Sequence, residues 1–225
     1  MVKRIVKAET RLKNTAKQHQ LYYNSKGERL ASVTGILNIK SKPALMPWSN
    51  KLGLKGIRLE DHLKVLADIG TLAHYLCECE VKELIPELSL YSPAQIEVAS
   101  ICLEKFRRWR EDNFFEVLET ELSLVSEEHS YGGTMDLYCK LRGKYTVIDY
   151  KTGSGLYLEN KVQGSAYKQL LLENGKPCEE VILLKLGRNA NEGTEECIVP
   201  TGGELFEAFL ALKEAHYAWK KIEGV

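Results

Sequence analysis

The stretch GGTMDLYCKLRGKYTVIDYKTG, residues 132–153, sets two aspartates and a lysine into what otherwise reads as buried β-structure. Asp136 closes one apolar run, Asp149 closes another, and Lys151 stands two places after Asp149. If the two strands pair about a turn near Arg142-Gly143, both carboxylates approach the same region of the sheet. Two carboxylates held close repel, which raises the free energy of ionising both. A divalent cation removes that penalty, and hard oxygen ligands favour Mg²⁺ or Mn²⁺. Strand alternation aims Asp149 and Lys151 at one face, while the backbone carbonyl of Tyr150 between them is aimed differently and offers a further ligand. A metal, an adjacent ammonium and a bound water are the parts of phosphodiester hydrolysis. The metal polarises the phosphate and acidifies the water; the lysine orients the water or stabilises the developing charge. The plain alternative is a strand-end ion pair, worth about 0–1 kcal/mol at a surface.

Two further pairs have helical spacing. Gln163 and Tyr167 lie four residues apart, hence on one helix face. His74 and Glu78 lie four apart on an earlier helix, following Gly70. His74 offers an imidazole to a metal, with Glu78 placed to orient the ring or to bind a second ion. Taken alone, a His–Glu pair at this spacing is an ordinary surface contact.

These residues need elements to hold them. Residues 20–37 read as two strands joined at Asn24-Ser25-Lys26-Gly27, and residues 40–53, punctuated by Pro43 and Pro47, start a short helix near Trp48. From Leu59 to Leu84 the pattern is helical, with Leu63, Leu66, Ile69, Leu72, Leu76 and Val81 on one apolar stripe. A second helix spans 93–112, with Pro93 in its first turn. Strands then read over 115–128, 131–141 and 144–152, a helix over 156–175 ending on Gly175, strands at 178–187 and around 195–200, and a closing amphipathic helix over 204–224. This order predicts an α/β fold with a central mixed sheet flanked by helices, built as a single domain over 1–225.

The composition, 44% hydrophobic and 28% charged, is that of an ordinary globular chain, and no apolar run approaches the roughly 20 residues of a membrane span. The N-terminus lacks the apolar stretch of a signal peptide, so a cytoplasmic location is expected. The net charge is +0, but it is unevenly spread. Residues 1–58 carry thirteen Lys and Arg against Glu9 and Glu28, so +11, leaving −11 for the remainder. A basic front on an acidic body is what a phosphate-binding arm looks like; the same lysines also serve solubility. Six cysteines, at 77, 79, 102, 139, 178 and 197, form no CxxC pair and read as reduced structural thiols. His19, His62, His129 and His216 fall outside every motif.

The ordered set of His74 with Glu78, Gly-Gly-x-x-Asp ending at Asp136, Asp149-x-Lys151 and Gln163-x-x-x-Tyr167 resembles the PD-(D/E)XK nuclease superfamily. It is most similar to the RecB-like exonuclease branch, and SVTGIL with KPALMPWSNKLG resembles the N-terminal segment of its small stand-alone members. The resemblance covers about residues 20–220. It implies a restriction-endonuclease-like core and a metal-dependent DNA exonuclease acting on single- or double-stranded linear ends in recombination, repair or DNA processing, with an annealing or recombination protein as a partner. Asp136 and Asp149 would bind Mg²⁺ or Mn²⁺, with His74, the Tyr150 carbonyl and Glu78 as further ligands. Lys151 would stand beside the nucleophilic water. Gln163 and Tyr167 would line the site, contact DNA or hold Lys151. Glu121 also sits where members often carry an acidic residue. Several relatives hold an iron–sulfur cluster on one upstream and three closely spaced downstream cysteines; Cys178 and Cys197 stand alone downstream, so no cluster is expected. With DNA implied, Lys40, Lys42, Lys51 and Lys55 become candidates to grip phosphates. Trp48 is either a base-stacking platform or a core anchor, the latter favoured beside Pro47. No GxxxxGK[ST] loop is present, so no nucleotide cofactor and no motor are expected. The alternative reading is a catalytically silent nuclease-fold module that binds DNA or protein.

Overall fold

A computed structural model describes residues 4–5, 20–41, 43 and 45–224. In chain order the elements are β1 (Arg4–Ile5), β2 (Tyr22–Tyr23), β3 (Arg29–Ser32), α1 (Val33–Leu37), α2 (Leu45–Gly53), α3 (Leu59–Val81), β4 (Leu84–Ile85) and α4 (Pro93–Asp112). They continue with β5 (Phe115–Ser126), β6 (Tyr131–Leu141), β7 (Lys144–Lys151), α5 (Leu158–Glu173), β8 (Glu180–Leu186), β9 (Thr194–Ile198) and α6 (Glu204–Glu223). The fold is the expected mixed α/β one, a central mixed sheet with helices on both faces. Two local expectations change. The second strand of the front hairpin stops at Ser32, whose hydroxyl accepts from Gly35 N–H at 3.0 Å and caps α1. Leu63, read as part of the α3 stripe, is 39% exposed, because the first two turns of that helix run past the sheet and only Asp68 onward is covered.

One face of the sheet is covered by α3 and α4 through Leu72, Leu76, Phe106 and Trp109 against Leu137, Cys139, Ile148, Tyr150 and Leu184. The other carries α1, α5 and α6 through Ile36, Leu170, Leu171 and Phe209 against Tyr131, Met135, Val147 and Leu183. Helix α4 starts as its sequence predicts: Ser92 and Gln95 form a reciprocal capping box ahead of Pro93.

The sheet is forked. Strand β6 gives one edge to β5, antiparallel along its whole length from Leu141 to Tyr131. Its other edge is shared: β3 pairs with it in parallel at Tyr131 and Gly132, and β7 pairs antiparallel from Leu141 to Leu137. Residues 133–136 of that edge belong to neither neighbour. The β6–β7 hairpin turns at Arg142 (φ 50°) and Gly143 (φ 81°), the two positive φ values of the tight turn that fits strand twist. Beyond β7, β8 pairs in parallel and β9 antiparallel.

Candidate active site

The fork holds the charged residues. In the β6–β7 register the last paired residues are Leu137 and Ile148, and the next positions, Asp136 and Asp149, face each other where the ladder ends. The backbone N–H of Tyr150 donates to Asp136 Oδ2 at 2.8 Å, so a carboxylate replaces the strand partner that the divergence removes. On the far side of β6, Glu121 lies between the paired Leu122–Met135 and Thr120–Leu137 positions, across from Asp136. Three carboxylates thus occupy one level across β5, β6 and β7. Glu121 has φ 51°, a left-handed conformation that a side-chain-bearing residue adopts at a free-energy cost, and such strain concentrates at functional sites.

Asp136 and Asp149 are 6% and 3% exposed, so both are desolvated. Burial pushes the Asp149 carboxyl up, Lys151 pulls it down, and Asp136 pushes it up again through like charge. From the α3 side, His74 Nδ1 makes a 2.8 Å hydrogen bond with Asp136 Oδ1, and its ring meets Tyr150 edge-on at 5.7 Å. Glu78, one turn further on, is paired with Lys82 Nζ at 2.8 Å.

From the α5 side a polar chain reaches the same point. Lys151 Nζ is ion-paired with Asp149 Oδ2 and donates to Gln163 Oε1 at 2.9 Å. Gln163 Nε2 in turn donates to Tyr167 Oη at 2.7 Å. Gln163 and Tyr167 are buried, and burial pushes the tyrosine phenol well above its usual pKa. The glycine pair of GGTMD makes room for this chain. A Cβ at Gly133 would stand 2.8 Å from Tyr167 Cε1, and one at Gly132 would stand 2.2 Å from Tyr22 Cγ. Tyr22 then reaches Thr134 Oγ1 at 2.7 Å and closes the unpaired edge of β6.

The donor set suits a hard divalent cation: two buried carboxylates facing each other, an imidazole, and a strand-end carbonyl at Tyr150. Asp149 is turned to Lys151, with which it is ion-paired. Among the described residues, ligand atoms of Glu128, His129 and Glu173 lie within 4.8 Å of one another, at the β5–β6 turn and the end of α5. Sequence reasoning gave His129 no role, and only its contact with Glu173, 44 residues later by number, brings it into a group.

The basic front is partly described. Lys40 Nζ pairs with Glu159 at 2.9 Å, one turn before Gln163 on α5. Lys51 and Lys55 are exposed, and Lys42 lies outside the described residues. Trp48 is half-buried against His62, ring centroids 5.4 Å apart. Five of the six cysteines are buried free thiols and Cys197 is half-buried. No described helix is long and apolar enough to cross a membrane.

No family model matches the chain, and no curated protein does. Among solved structures it is similar to an alkaline exonuclease from Laribacter hongkongensis, at 10% identity and TM-score 0.45, over 86% of this chain and 89% of that one. The complex of that enzyme with dAMP matches at 13% identity and TM-score 0.37, over 70% and 86%. A candidate exonuclease from Eubacterium rectale matches at 12% identity and TM-score 0.44, over 64% and 61%.

Proposed function

We propose that the chain is a Mg²⁺- or Mn²⁺-dependent deoxyribonuclease of the PD-(D/E)XK type, of the RecB-like exonuclease branch, which hydrolyses phosphodiester bonds at the ends of linear DNA. The observation that carries this reading is the polar chain Asp149–Lys151–Gln163–Tyr167 meeting Asp136 and His74 at the sheet fork. A surface ion pair needs none of it. Asp136 and Asp149, with His74 and the Tyr150 carbonyl, would hold the metal, which when bound polarises a phosphate and lowers the pKa of water. Lys151 has three N–H donors; two go to Asp149 and Gln163, which leaves the third for a substrate oxygen or the attacking water. Gln163 orients the ammonium and Tyr167 orients Gln163, so the charge reaches the substrate already positioned. The whole chain, 1–225, would be one nuclease domain, with Lys40, Lys51 and Lys55 of its basic front along the DNA path.

The test is digestion of end-labelled linear DNA, single- and double-stranded, with Mg²⁺, Mn²⁺ or EDTA, beside Lys151→Ala. Metal-dependent release of short products from one end, absent in the variant, is expected. No cleavage of any substrate with either metal would overturn the reading.

A further inference from the structure

Arg188 follows β8 through Gly187, at the carboxyl ends of the parallel strands β7 and β8, the edge where open α/β sheets bind ligands. It is half-buried and donates Nη2 to Leu66 O and to Thr152 Oγ1, each at 3.0 Å. Its Nε is buried without an acceptor, and its guanidinium makes no ion pair among the described residues. Burial pulls its pKa below the usual arginine value. The nearby carboxylate of Glu192 is turned to the Arg188 backbone N–H instead, at 2.7 Å. Attraction to Glu192 offsets only part of that desolvation, and a neutral side chain could tie Leu66 to Thr152 without incurring it.

Its surroundings fix where it sits. Lys105 Nζ donates to the carbonyls of Gly187 at 2.8 Å, Asn189 at 2.6 Å and Glu192, so residues 187–192 wrap one ammonium. A Cβ on Gly187 would lie 2.3 Å from Glu192 Cβ, which keeps that loop closed. Thr152 is the residue after Lys151 and points to the opposite face, towards α3. A Cβ on Gly70 would stand 3.2 Å from Thr152 Oγ1 and 3.6 Å from Arg188 Nη2. Gly70 is about 6 Å along α3 from His74, the partner of Asp136. The guanidinium is therefore held between α3 and the end of β7, one helical turn along α3 from His74.

We propose that Arg188 is an anion-binding residue that takes a phosphate group of the substrate strand. With Nη2 given to Leu66 O and Thr152 Oγ1 and Nε buried, the donors it offers a phosphate oxygen are those of Nη1. That the phosphate belongs to DNA rests on the nuclease reading; that an anion binds at Arg188 does not.

The experiment uses the full chain, Arg188→Gln and Arg188→Lys. Thermal unfolding is followed against inorganic phosphate without metal, and kcat and KM are measured on oligonucleotides ending in 5′-phosphate or 5′-hydroxyl. Phosphate should raise the wild-type Tm, and its Kd should rise roughly ten- to hundredfold in Arg188→Gln and less in Arg188→Lys. KM should rise more than kcat falls. A defect confined to the 5′-phosphorylated substrate would assign a terminal phosphate, and an equal defect on both an internal one; either supports the proposal. Equal phosphate affinity in wild type and both variants, whatever their baseline Tm, would reduce Arg188 to a structural tie and overturn it. A wild type that cleaves nothing but binds phosphate through Arg188 would remove the nuclease reading and leave the anion site standing.

Discussion

Gln163 is the hinge of the proposed machinery, and replacing it separates stability from activity. Gln163→Leu keeps the volume nearly unchanged but removes the acceptor of Lys151 and the donor to Tyr167, leaving the buried Tyr167 hydroxyl without its 2.7 Å partner. An unsatisfied buried hydroxyl costs about 1–3 kcal/mol, partly offset by the added apolar burial. A net loss of about 2 kcal/mol lowers Tm by about 4–8 °C in a chain of this size. Tyr167→Phe strands Gln163 Nε2 instead. The double variant strands neither, so its destabilisation should fall short of the sum of the two by about 1–2 kcal/mol. Activity should behave differently, since both the single Gln163 variant and the double leave Lys151 with Asp149 but without its Gln163 acceptor. Both should lose about ten- to a hundredfold in kcat, the range of a misplaced catalytic group. Urea unfolding gives the cycle and steady-state digestion of linear DNA gives kcat. Additive stabilities would mean that the Gln163–Tyr167 bond does not form, and a kcat restored along with stability in the double variant would refute the orienting role of Gln163.

Mg²⁺ or Mn²⁺ at about 100 times its Kd should stabilise the protein by about 2.7 kcal/mol, and Asp149→Asn should abolish that gain; an unchanged Tm in the wild type would remove the metal from the site. Gly133→Ala should destabilise by about 1–3 kcal/mol, because its Cβ would meet Tyr167 at 2.8 Å and Leu170 at 2.9 Å; unaltered unfolding would show that the ring moves freely. Lys51→Gln and Lys55→Gln should each reduce the slope of log Kd for DNA against log salt by about 1, and a constant slope would take them off the DNA path. Burial pushes the thiols of Cys102 and Cys178 to about 11 and that of Cys139 to about 12, so they should resist a thiol reagent at pH 8. Cys197, the one half-buried thiol, should be labelled first, as peptide mapping after brief labelling would check.

What was readable in the residues was whatever local periodicity and turn chemistry control. The helices α3 and α4, the three long strands and α5 follow from apolar spacing, from Pro93 behind a capping serine, and from Arg142-Gly143 in a two-residue turn. The candidate groups were also readable, because a charge inside an apolar strand conflicts with the strand's own pattern. Spacing on α5 put Gln163 and Tyr167 on one face but left open whether they meet DNA or Lys151; the bond from Lys151 to Gln163 depends on how α5 docks on β7. His74 finding Asp136 rather than Glu78 depends on α3 crossing the other face, 62 residues away in sequence. No local signal marked Arg188, because an Nε left without an acceptor is a property of its neighbours. The fork itself is the clearest case. That β3 and β7 divide one edge of β6, and so end the β6–β7 ladder just before Asp136 and Asp149, is a choice among long-range pairings, and chain-local propensity carries no information about which strands become neighbours.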